Sequence, residues 1–130
     1  MATVLVLNDD EDLLELYEEV LRELGHEPVT RFTTDSGPEA VRDVGADALL
    51  VDLMRPDEKS YGLRIIEEVR RDPELHDLPV ILCTAGTEQV RPLLERLERL
   101  DVPVVAKPFG MSDLQAVLQR ALGETEKPAS

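Results

Sequence analysis

Short apolar runs alternate along the chain with segments whose apolar residues recur every three or four positions. The runs are Val4–Leu7, Ala48–Val51, Pro79–Cys83 and Val102–Val105, with a weaker one around Glu27–Arg31. Most are apolar at consecutive positions, the pattern of strands buried on both faces of a parallel sheet. Between them, Leu13, Leu16, Tyr17, Val20, Leu21 and Leu24 predict an amphipathic first helix stopped by Gly25. Ser36-Gly37-Pro38-Glu39 reads as a capping box opening a short second helix. Leu63, Ile66 and Val69 mark a third, ended before Asp72-Pro73. A fourth carries Val90, Leu93, Leu94, Leu97 and Leu100 and is expected to start near Arg91, with Pro92 in its first turn. Leu114, Val117, Leu118 and Leu122 form the last. Five strands alternating with five helices predict one open, doubly wound α/β domain over residues 1–122, with 123–130 a flexible tail or linker stub.

Composition narrows the function. A length of 130 residues holds one domain with its own core. Asp and Glu outnumber Lys and Arg by 28 to 14. A net charge of −14 argues against direct binding to nucleic acid or to an anionic membrane. The single cysteine, Cys83, lies in an apolar run and reads as a small buried hydrophobe. Neither a signal peptide nor a bilayer-length apolar segment is evident, so a cytoplasmic protein is expected.

In open α/β sheets ligands bind beyond the carboxyl ends of the strands. There the chain places Asn8-Asp9-Asp10-Glu11-Asp12, Asp52, Thr84-Ala85-Gly86 and Ala106-Lys107-Pro108. Each has an ordinary alternative: Asn8 or Asp9 as a helix cap, Asp52 and Thr84 as turn residues, Lys107 as a surface amine. Their joint position at one edge favours chemistry. Clustered carboxylates suit Mg²⁺, a carboxylate attacks phosphorus to give an acyl phosphate, and metal and ammonium neutralise the transferring group.

The blocks Val4–Leu14, Leu50–Pro56, Leu78–Ala85 and Lys107–Phe109 resemble the signature segments of response regulator receiver domains, and the resemblance runs from about Thr3 to Leu122. It implies a flavodoxin-like strand order 2-1-3-4-5. It also implies that Asp52 is the phosphoacceptor, that Asp9 and Asp52 bind Mg²⁺ with the backbone carbonyl of Met54, and that Thr84 follows the phosphate with small Ala85 beside it. By the same resemblance Lys107 binds phosphate, and Pro108 follows a cis peptide bond. The implied partners are a sensor histidine kinase or phosphotransfer protein and a downstream protein on the face of helix four, strand five and helix five, with a homodimer left open. Such a module acts only on its own phosphorylation and is not an enzyme of metabolism.

Three features depart from the family pattern. Asn8 replaces the first of two adjacent acids, which makes it a weakened second metal position. The loop from Pro56 to Gly62 is two residues longer and adds Asp57, Glu58 and Lys59, and Val104 stands at the switch position where an aromatic is common. Asn8 and Val104 favour a competing reading, a pseudo-receiver that binds proteins without phosphate. A hydrolase with an aspartyl nucleophile commonly has a second acid two residues on, where this chain has Met54. A flavin-binding domain on the same fold would need a phosphate-cradling Gly or Ser/Thr loop after strand one, and this chain shows none there.

Overall fold

The computed structural model describes residues 2–32, 37–53, 61–84, 87–106 and 110–122. The strands are β1 (Thr3–Asn8), β2 (Glu27–Phe32), β3 (Ala48–Leu53), β4 (Val80–Thr84) and β5 (Val104–Ala106). They form one parallel sheet in the order β2-β1-β3-β4-β5, as the resemblance implies. The helices are α1 (Glu11–Glu23), α2 (Pro38–Val44), α3 (Tyr61–Arg71), a composite α4 over residues 87–99, and α5 (Met111–Leu122). The expected tail, 123–130, lies outside the described residues.

The pleat sends successive side chains to opposite faces. Leu5, Leu7, Leu49, Val51 and Leu82 pack with Val41, Leu63, Ile66, Val69, Leu93 and Leu97 of α2, α3 and α4. Val4, Val6, Ala48, Leu50, Ile81 and Cys83 pack with Leu14, Tyr17 and Leu21 of α1 and with Leu114 and Leu118 of α5. Helices on both faces are why the strand segments are continuously apolar.

Several expectations are corrected in detail. Gly37, not Ser36, is the N-cap of α2, because Pro38 occupies its first turn; Glu39 is then one position short of a capping box. On α1, Leu14 is buried where Leu16 was expected; Leu16 is 53% exposed, since the buried stripe runs through Leu14, Tyr17 and Leu21. β5 begins at Val104, two residues later than the apolar run. Helix α4 starts earlier than Arg91: Thr87–Val90 is already α-helical, Arg91–Leu93 is a 3-10 turn, and Leu94–Arg99 is α-helical again. Pro92 has no N–H to give the carbonyl four residues back, and the tighter turn takes it at a position where none is required. Leu94, expected on the apolar face of this helix, is 44% exposed.

Candidate functional site at the carboxyl edge of the sheet

β1 runs apolar until Asn8, and a sharp change of direction follows. Asn8 Oδ1 accepts the backbone N–H of Asp10 at 2.7 Å, closing a turn that points the chain into α1. Asp10 is the N-cap of that helix, accepting from the N–H groups of Asp12 at 2.9 Å and Leu13 at 3.4 Å. Glu11 and Asp12 in the first turn complement its positive end. The ordinary reading of this acidic run therefore holds for Asp10 rather than for Asn8 or Asp9. Asp10 is committed to the cap, and Asp9 is left exposed at the strand end.

The side chain of Asn8 is fully buried, and its Nδ2 has no hydrogen-bond partner among the described residues. A buried donor left unsatisfied costs on the order of 1–3 kcal/mol. An amide nitrogen cannot coordinate a cation as a carboxylate does, so Asn8 turns a potential ligand into a donor.

Asp52 sits one residue before the end of β3, between β1 and β4, and is 2% exposed. It shares the face of Ala48 and Leu50 and is paired in register with Cys83. Its carboxylate meets the buried hydroxyl of Tyr17 on α1, which hydrogen-bonds to both Asp52 and Cys83. Sequence reasoning took Tyr17 only as core; the signal for more was a single polar-tipped side chain in the buried Leu stripe of α1. Cys83 is buried, as expected.

Thr84 is fully buried at the end of β4 and opposes Leu53 and Ala106. By the alternation of the pleat it lies on the face of Val80 and Leu82. Val104 opposes Leu82, is half-buried and packs on that same side. The sheet thus places Asn8 and Asp52 on one face, and Thr84 and the switch position Val104 on the other. Met54, Asp57, Glu58, Lys59, Ala85, Lys107 and Pro108 lie outside the described residues.

Asp9, just past the end of β1, and Asp52, near the end of the adjacent β3, offer hard oxygen donors. No group of three or more His, Cys, Asp or Glu side chains gathers around a metal position among the described residues. Mg²⁺ commonly takes only one or two carboxylates and completes its shell with water and phosphate oxygens, so this donor set fits it. A groove of about 610 Å³ opens at the opposite edge, between α4 and α5, lined by Leu78, Leu94, Leu97, Val104 and Val117. It is remote from these carboxylates.

Residues 4–119 match the response regulator receiver domain family. The DNA-binding transcriptional regulator NtrC of Azospirillum brasilense is 30% identical over 129 residues, covering 99% of this chain and 26% of that protein. The phosphate regulon transcriptional regulatory protein PhoB of Escherichia coli (strain K12) is 28% identical over 120 residues, covering 92% of this chain and 51% of that protein. The chain therefore spans about half or less of the length of these relatives. Among solved structures, a sensor protein from Polaromonas sp. JS666 has a TM-score of 0.75 at 26% identity, covering 95% of this chain and 97% of its own. The chemotaxis protein CheY4 of Vibrio cholerae, at 20% identity, shares the fold with a TM-score of 0.77 and coverages of 94% and 99%. The match begins in β1 and ends in α5, so it takes in the whole sheet, and the chain belongs to the response regulator receiver domain family.

Proposed function

We propose that this receiver domain takes a phosphoryl group on Asp52 from a sensor histidine kinase or phosphotransfer protein, with Mg²⁺. The observation that supports it best is a carboxylate set at the end of the central strand, screened from bulk water and flanked by the strand that delivers Asp9. One Asp52 oxygen attacks phosphorus; the new O–P bond forms as the bond from phosphorus to the donor nitrogen breaks, and the leaving imidazole keeps that electron pair. When bound, Mg²⁺ supplies charge neutralisation for the transferring group, and Asp9, Asp52 and the Met54 carbonyl are the residues that would hold it. Lys107 would neutralise phosphoryl charge, and buried Thr84 would donate its hydroxyl to the acyl phosphate, with Ala85 leaving it room. The chain acts on itself only, in the cytoplasm, and passes the signal to a protein partner on the face of α4, β5 and α5. Its acidic surface makes direct contact with nucleic acid unfavourable. The test is intact-mass measurement after incubation with a small phosphodonor, with and without Mg²⁺. One phosphoryl group per chain, dependent on Mg²⁺, is expected; none with any donor overturns the reading.

The second reading, a pseudo-receiver regulated by partners alone, is favoured by the burial and turn-forming role of Asn8. Asn8→Asp separates the two. It adds a negative charge beside the metal position, worth about 2 kcal/mol for a divalent ion at 4 Å even with water-like screening. Mg²⁺ affinity is expected to rise about tenfold or more, because Asp10 is occupied as a cap and gives no compensation. Without metal the same variant buries a second carboxylate near Asp52 and loses stability. Mg²⁺ titrations of parent and variant check both. Equal affinities would mean that no metal sits beside position 8, as a pseudo-receiver requires.

A further inference from the structure

Tyr17 differs from its neighbours on the buried face of α1. Leu14 and Leu21 carry no polar atom, whereas Tyr17 brings a hydroxyl to a position only 4% exposed. It belongs to the same core cluster as Val4, Val6, Leu50 and Cys83, beneath α1 and α5. Asp52 and Cys83 oppose each other across β3 and β4 on this same face, and the Tyr17 hydroxyl hydrogen-bonds to both. The direction of these bonds follows from the protons present. A carboxylate only accepts and a phenol has one proton, so Tyr17 donates to Asp52 and the Cys83 thiol donates to the phenol oxygen. Burial, the largest cause, and the Asp52 carboxylate beside it push the Tyr17 phenol above its ordinary range.

We propose that Tyr17 is a positioning residue for the phosphoacceptor: its donated hydrogen bond holds one Asp52 oxygen and leaves the other to meet the incoming phosphorus. This rests on the reading of Asp52 as the acceptor. A carboxylate that rotates about its terminal torsion presents its attacking oxygen only part of the time, and a charge-assisted bond from a rigid, packed ring removes that freedom. The same bond makes α1 sensitive to the state of Asp52. Once one oxygen is joined to phosphorus the carboxylate charge is gone, the remaining carbonyl oxygen is a weaker acceptor, and the hold of Tyr17 relaxes.

The chain has two tyrosines, Tyr17 and Tyr61, and no tryptophan, so its near-ultraviolet spectrum isolates this hydroxyl. Phosphorylation of the full chain by a small phosphodonor with Mg²⁺ is expected to shift the tyrosine band in the parent and in Tyr61→Phe, but not in Tyr17→Phe. Tyr17→Phe keeps the ring and loses only the hydroxyl; it is expected to take up phosphate about tenfold more slowly, equivalent to ~1.4 kcal/mol in the barrier. A parent band that does not move on phosphorylation overturns the inference. So does a folded Tyr17→Phe that is less stable yet phosphorylates at the parent's rate, since that marks a purely structural hydroxyl. In both cases the phosphoacceptor reading survives. A parent that takes up no phosphoryl group overturns that reading, and this role with it.

Discussion

Asp52→Asn is expected to abolish phosphoryl uptake while leaving the fold intact. An amide oxygen is a poor nucleophile toward phosphorus, and no other described carboxylate at this edge is placed to substitute. Asp10 is held by two backbone N–H groups at the start of α1, and Asp9 is exposed to water rather than set between strands. The exchange is nearly isosteric. The amide carbonyl still accepts from Tyr17, and the change removes a buried charge, so unfolding free energy should move by no more than about 1 kcal/mol. Intact mass after treatment with a small phosphodonor and Mg²⁺, read beside thermal unfolding, checks both halves. Undiminished phosphorylation in a folded variant would falsify the assignment of Asp52. Modification reduced but not lost would point to a second acceptor among Asp9, Asp57 and Glu58.

Much of the fold was legible because its periodicities are simple. Leu49, Leu50 and Val51 are consecutive and all buried, and such a run has few homes outside a sheet covered on both faces. The carboxyl-edge rule then located Asp9, Asp52 and Thr84 without any coordinates. Legibility failed where one local preference competes with another. Ser36 and Glu39 have the spacing of a capping box, but Pro38 fits the first helical position better and moves the cap to Gly37. Pro92 breaks an α-helix only where its missing N–H is needed, and a 3-10 turn inside α4 removes that need. The role of Asp10 was hidden because capping and metal binding favour the same residue types. Tyr17 was hidden for a different reason. Its spacing on α1 gives its burial, but contact with Asp52 and Cys83 depends on how α1 crosses the sheet, which no local pattern encodes.

Replacing Arg70 should destabilise the domain well beyond the level of an ordinary surface substitution. Arg70 lies in the last turn of α3, half-buried, and its guanidinium donates to four backbone carbonyls. Nε reaches Leu100 at 2.6 Å, one terminal nitrogen reaches Leu78 at 2.6 Å and His76 at 3.1 Å, and the other reaches Asp101 at 3.3 Å. Those carbonyls belong to two separate connections, the turn leading into β4 and the turn between α4 and β5. Asp101 holds a left-handed backbone at φ 58°, a strained choice for a residue with a Cβ, and Arg70 helps fix it. Burial lowers the basicity of the guanidinium, but Arg remains charged at neutral pH and every bond it makes is charge-assisted. The bonds to Leu100 and Leu78 are the partly buried ones, and two such bonds at about 1.5 kcal/mol each give a loss of ~3 kcal/mol in Arg70→Met. For a chain of this length that lowers the melting temperature by ~10 °C. Arg70→Lys should recover less than half, because one ammonium cannot reproduce a planar fork spanning two turns. Denaturant unfolding of the three proteins gives the free energies. Hydrogen exchange should show faster opening of the turn around Asp101 and of β5 beside it, where Val104 and the proposed partner face lie. A loss under about 0.5 kcal/mol in Arg70→Met, the level of an ordinary surface substitution, would mean that water replaces the guanidinium at no net cost and that the two turns hold themselves.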